Sequence, residues 1–151
     1  MTMRIFATLA VAACAIAYGA SASAQEARSY IEPRTAADTM LPPFSGAVQI
    51  GNILYLSGTI GIDKDRKVPA TAEGEATAVL NSLQATLAKA SMTMDDLVFV
   101  QVFCSDVSHY DAFNSVYRTY FKREFPARAF IGAGHLLFGA RFEVQGIAVR
   151  R

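Results

Sequence analysis

The sequence has no tryptophan, two cysteines and two histidines in 151 residues. So few thiols and imidazoles exclude a disulfide-stapled scaffold and a multi-cysteine zinc site. His109 and His135 stand at no metal-ligand spacing to Cys104, so no metal is expected. Net charge is scarce too, with fourteen Lys and Arg against thirteen Asp and Glu. Gripping a phosphate backbone takes a basic excess, so nucleic acid is not an expected partner. There is no G-x-S-x-G elbow, and Gly132-Ala133-Gly134 falls in a predicted strand rather than in a strand-to-helix phosphate loop. What the chain does have is apolar material: 52% of residues are hydrophobic and 18% charged. At this length that suits one domain with its own core.

The first 24 residues read as an address rather than as part of the fold. Arg4 is their only charge, Ile5 to Ala20 is apolar and small, and Ala22-Ser23-Ala24 follows. This is the order of a secretory signal peptide, with cleavage after Ala24 and a periplasmic or secreted product. A buried N-terminal helix is the competing reading, and the separate small-residue site counts against it. Val11-Ala12-Ala13-Cys14 also resembles a lipobox, which would make the product a lipoprotein anchored at Cys14. Otherwise no membrane association is expected. Cleavage after Ala24 leaves thirteen basic and thirteen acidic residues and one cysteine, Cys104, which rules out an intrachain disulfide.

Residues 25–42 are polar and broken by Pro33 and Pro42, an irregular lead-in to a domain over 43–151. Ser45–Ile50 and Ile53–Ile60 read as strands joined by a Gly51-Asn52 hairpin turn. Ala76, Leu80, Leu83 and Leu87 recur at helical spacing within Thr71–Ala90. Asp96–Val107 returns to strand, with Val98, Val100 and Val102 on one face. Ser108 and Asp111 have capping-box spacing before an apolar stripe of Phe113, Val116, Tyr117, Tyr120 and Phe121. Strands over Ala127–Gly134 and Arg141–Val149 close the chain. The order is β-β-α-β-α-β-β, an α+β class. Two amphipathic helices are best buried on one face of a single mixed sheet. The last strand alternates Phe142, Val144 and Ala148 with Arg141, Glu143 and Gln145, so the other face is partly polar and meets solvent or another subunit.

Cys104, in an apolar strand, reads as an inert core thiol. Arg128 and Glu143 are charges left in otherwise apolar strands. Either they are exposed strand residues or they line a pocket. An arginine fork on a strand suits a bidentate carboxylate, and a glutamate in a cleft can position or deprotonate water.

Several blocks carry a resemblance: Pro43-Phe44-Ser45, the run Gly51 to Gly58, Val107 to Asn114 with Val116-Tyr117, Phe125-Pro126-Ala127-Arg128, and Phe142 to Ala148. With them, from Pro42 to Arg151, the chain resembles the RidA (YjgF) family of reactive-intermediate deaminases. The Pro-Ala-Arg block with Glu143 fifteen residues after its arginine is the specific part. The resemblance implies a chorismate-mutase-like fold and a homotrimer with clefts between subunits. It implies hydrolysis of 2-imino acids or enamines to 2-oxo acids and ammonia, without a cofactor. By the same resemblance Arg128 binds the substrate carboxylate and Glu143 orients the attacking water. Phe44, Ser57, Gly58 and Asn114 line the pocket.

The chain departs from the pattern at Phe130, where deaminating members often carry a small cysteine. Phe130 shares a strand face with Arg128 and would border, and narrow, the substrate pocket. His135 and Leu137 replace an Arg and a Pro of the family's following segment. Export is a second departure, because imino acids arise mainly in the cytoplasm. Three readings follow: an exported imine and enamine deaminase, a non-catalytic trimer that binds small carboxylates, and a ribonuclease or chaperone-like protein. Retention of both Arg128 and Glu143 favours the first.

Overall fold

The computed structural model describes residues 27–63 and 65–151, so the expected leader over 1–24, Cys14 included, lies outside the described residues. The elements are β1 (Arg28–Ile31), β2 (Ala47–Ile50), β3 (Ile53–Ile60), α1 (Ala72–Lys89), β4 (Leu97–Cys104), α2 (Tyr110–Tyr117), β5 (Ala127–Gly132) and β6 (Phe142–Val149). They make one six-stranded sheet in the order β1-β2-β3-β6-β4-β5. Every pairing is antiparallel except β4 with β5, the pair joined through α2. The long connection through α1 leaves a gap between β3 and β4, and the last strand fills it. This is the mixed sheet with two helices that the hydrophobic pattern predicts.

Both helices pack on one face. Leu54 and Leu56 of β3, Val100, Val102 and Cys104 of β4, and Phe142 and Val144 of β6 form one buried cluster with the helices. From α1 it receives Ala76, Val79, Leu80, Leu83 and Leu87; from α2, Phe113 and Tyr117. Each large aliphatic side chain buried this way contributes roughly 1.5–3 kcal/mol. Thr71 caps α1 by accepting from Gly74 N at 3.0 Å. The other face carries Tyr55, Phe99, Gln101, Phe103, Glu143, Gln145 and Ile147, all half-buried or exposed. Across it Gln145 Nε2 donates to Gln101 Oε1 at 2.8 Å. No helix among the described residues is long and apolar enough to cross a membrane.

Four local expectations need correction. The lead-in is not wholly irregular, because Arg28–Ile31 pairs antiparallel with β2 as an edge strand. Val98 does not share the buried face of Val100 and Val102: a bulge between Leu97 and Phe99 turns it outward, 47% exposed. The cap before α2 is Asp106 rather than Ser108; its carboxylate accepts from Ser108 N at 2.9 Å and opens a short 3-10 turn over Val107–His109. The fifth strand ends at Gly132, two residues early. The Gly51-Asn52 turn forms as expected, with Gly51 at φ 58°, where only glycine is unstrained.

Candidate active site

Arg128 pairs with Val100 across β4 and β5, which places it on the helix-covered face, half-buried at the sheet edge. Its Nη2 donates to Asn114 Oδ1 of α2 at 2.7 Å. Its Cζ lies 4.6 Å from the Tyr117 ring centroid and 5.8–5.9 Å from those of Tyr110, Phe113 and Phe130. Four aromatic faces therefore hold the guanidinium, while one amide oxygen fixes its rotation. Among the described residues no carboxylate pairs with it. Beside it is a cavity of about 220 Å³ lined by Tyr110, Asn114, Tyr117, Arg118, Phe125, Pro126 and Arg128. A fixed, unpaired guanidinium in a largely aromatic recess is suited to capture a small carboxylate.

Tyr117 is 4% exposed, and its hydroxyl has no hydrogen-bond partner among the described residues. Burial pushes its pKa up to about 12, against the opposing pull of the Arg128 charge. Phe130 is not among the residues lining the recess. It stands edge-on to Tyr110 at 5.0 Å and to Phe113 at 5.7 Å, as part of the packing beneath Arg128.

Glu143 is elsewhere. It pairs with Phe103 and Ile60 and projects from the open face, half-buried. A register shift between Leu56 and Thr59 lifts Ser57 and Gly58 out of the ladder at that point. The Glu143 carboxylate lies against Gly58, where a Cβ would overlap its Oε1. Ser57 Oγ donates to Ser45 O at 2.6 Å, and Ser57 N to Gly46 O at 3.0 Å. These bonds tie the bulge to the segment that carries Phe44. Phe44, Ser57 and Gly58 share a recess of about 110 Å³ with Glu32, Leu83 and Thr86. One chain thus holds two half-sites. Arg128, Asn114 and the aromatic ring set form one; Glu143 against Gly58 forms the other, while Phe44 and Ser57 line the separate recess toward α1.

Sequence reasoning passed over Glu75 and Arg118. Glu75 is fully buried on α1, accepts from Arg141 N at 2.6 Å and Phe142 N at 2.9 Å, and pairs with Arg141 Nη1 at 2.8 Å. It fixes the start of β6, and so the strand position from which Glu143 projects. The available signal was an acid four residues before Val79 on the apolar stripe of α1. Cys104 is buried and free, its thiol donates to Asp106 O at 3.0 Å, and burial raises its pKa, as an inert core thiol requires. No group of three or more His, Cys, Asp or Glu among the described residues could hold a metal ion.

Comparison with known proteins places these residues in context. The family model described as Endoribonuclease L-PSP matches residues 35–150. A 2-iminobutanoate/2-iminopropanoate deaminase of Dermatophagoides farinae is 34% identical over 109 residues, 71% of this chain and 85% of that protein. The protein of the same name from Mus musculus is 33% identical over 118 residues, 77% of this chain and 87% of that one. The solved structure of the YjgF gene product from E. coli superposes with a TM-score of 0.69 at 30% identity, covering 72% of this chain and 89% of that one.

Proposed function

The chain belongs to the Endoribonuclease L-PSP family, that of RidA and YjgF, and on that premise we propose that it hydrolyses 2-imino acids and their enamine tautomers to 2-oxo acids and ammonia. The observation that carries the reading is Arg128. It is held by Asn114 and four aromatic rings, lacks an acidic partner among the described residues, and faces a small recess. A substrate carboxylate completes that pairing and is oriented by it.

Bound through its carboxylate, a protonated imine presents an electrophilic C2. Glu143 holds water and takes a proton as its oxygen bonds to C2, giving a carbinolamine. Glu143 passes that proton to the nitrogen and then takes the hydroxyl proton as the C–N bond breaks, so the C=O forms and ammonia departs, becoming ammonium once it takes up that proton. Water supplies the oxygen, and no electrons are transferred. An imine hydrolyses unaided in water, so orientation and one base suffice for a useful rate.

The two half-sites lie on opposite faces of the sheet, so Arg128 and Glu143 meet in one cleft only if two copies contribute. The apolar share of the open face, with Tyr55, Phe99 and Ile147, supports burial against a second copy. We assign the homotrimer and its subunit-interface pocket on this ground. The leader over 1–24 directs export, and fractionation with N-terminal sequencing separates cleavage before Gln25 from lipidation at Cys14.

The family's name also carries endoribonuclease activity. The balanced charge of residues 25–151 weighs against it here. The deciding experiment generates imino acids with an amino-acid oxidase and follows their loss with the 25–151 chain and with Arg128→Ala. Faster loss that depends on Arg128 supports the deaminase. No acceleration by the unmodified chain moves the assignment to carboxylate binding without turnover.

A further inference from the structure

We propose that the recess beside Arg128 takes a dianion, a 2-imino dicarboxylic acid, with Arg118 selecting the second carboxylate. The inference rests on the deaminase reading and deepens it. Within one chain the recess is lined by two arginines, Arg118 and Arg128, and by no acid among the described residues. The salt bridges among the described residues use Lys89, Arg141 and Arg151, so neither lining arginine is neutralised there. Even with the one carboxylate that Glu143 of a second copy would bring to this cleft, two arginines leave its lining net positive, which favours a dianion over a monoanion.

Asn114 ties the Arg128 guanidinium to the backbone that carries Arg118. It accepts from Arg128 through its side chain and from the Arg118 backbone N–H through its carbonyl. Arg118 stands where α2 gives way to a 3-10 turn over Arg118–Tyr120, one residue past the ring that stacks on Arg128. Arg128 is half-buried and Arg118 exposed. The inner cation therefore suits the carboxylate beside the C=N bond, and the outer one suits a carboxylate at the end of a short side chain. Tyr110, Tyr117, Phe125 and Pro126 make the rest of the lining largely apolar, which strengthens charge-assisted contacts there. A cavity of about 220 Å³ accommodates a short diacid rather than a larger ligand.

The test compares 2-iminoglutarate, made with glutamate oxidase, and 2-iminobutanoate, made with an amino-acid oxidase. The wild-type chain is expected to favour the diacid in kcat/KM. Arg118→Ala is expected to lower the diacid-to-monoacid ratio about tenfold, Arg118→Lys to retain most of it, and Arg118→Glu to invert it. A ratio that Arg118→Ala and Arg118→Glu leave unmoved overturns the inference and leaves the deaminase intact. If the wild-type chain hydrolyses neither imine, the deaminase reading fails, and calorimetry still decides the inference. Tighter binding of 2-oxoglutarate than of 2-oxobutanoate, lost in Arg118→Ala, sustains it; equal binding overturns it.

Discussion

Arg128 and Glu143 project from opposite faces of the same sheet. Arg128 is in register with Val100, whose side chain is buried under the helices, while Glu143 is in register with Phe103 on the open side. No side-chain rotation carries either one through a hydrogen-bonded sheet. The proposed reaction uses both and so requires an assembly in which one copy would supply the carboxylate-binding half and another the water-orienting half.

Gly58 is required by the position of Glu143. A Cβ there would overlap Glu143 Oε1 and come within 3.1 Å of its Cδ. Gly58→Ala is expected to push the carboxylate away, lowering kcat at least tenfold with a stability cost of about 1–3 kcal/mol. Steady-state kinetics and denaturant unfolding measure the two effects. Full activity in this variant would mean that Glu143 does not work from its position beside the bulge.

Glu75 is the buried charge on which the start of β6 depends. Removing one partner of such a pair typically costs about 3–5 kcal/mol, because the other charge and the strand amides lose their acceptor. Glu75→Ala should approach that loss in a denaturant titration. Glu75→Gln should lose less, since an amide oxygen still accepts from Arg141 N and Phe142 N.

Tyr117 sets an alkaline limit on stability. Its hydroxyl titrates at about 12 in the fold, against an ordinary value of 10. The folded state thus holds this proton more tightly than the unfolded chain does. Its contribution is complete below pH 10 and is lost as pH rises toward 12. Tyr117→Phe keeps the ring under Arg128 and removes the titration. The variant is expected to lose less stability than wild type between pH 10 and 12. Unfolding curves at a series of pH values test this.

Much of the fold was legible from short-range pattern. The apolar stripe of Thr71–Ala90 brackets α1 by one residue at each end, and the alternation in the last strand correctly separates Phe142 and Val144 from Glu143. What stayed hidden depends on neighbours. Arg28-Ser29-Tyr30-Ile31 has no alternation to announce a strand and is one because β2 offers an edge. Val98 alternates correctly in sequence and is turned out by a bulge against β6. The facing of Arg128 relative to Glu143 follows from register carried across β5, β4 and β6, which no single strand's periodicity contains. Arg118 gave no signal because a helix-end arginine is ordinary until a cavity opens beside it.

The most direct test of the account mixes two chains that are each expected to be inactive. Arg128→Ala and Glu143→Gln, carrying different affinity tags, are co-expressed, and the doubly tagged oligomers are isolated. If each site draws Arg128 from one copy and Glu143 from its neighbour, every mixed trimer regenerates one site of its three, and imine hydrolysis returns to about a third of wild type. Doubly tagged oligomers as inactive as either parent would contradict the account and confine both residues' work to a single chain.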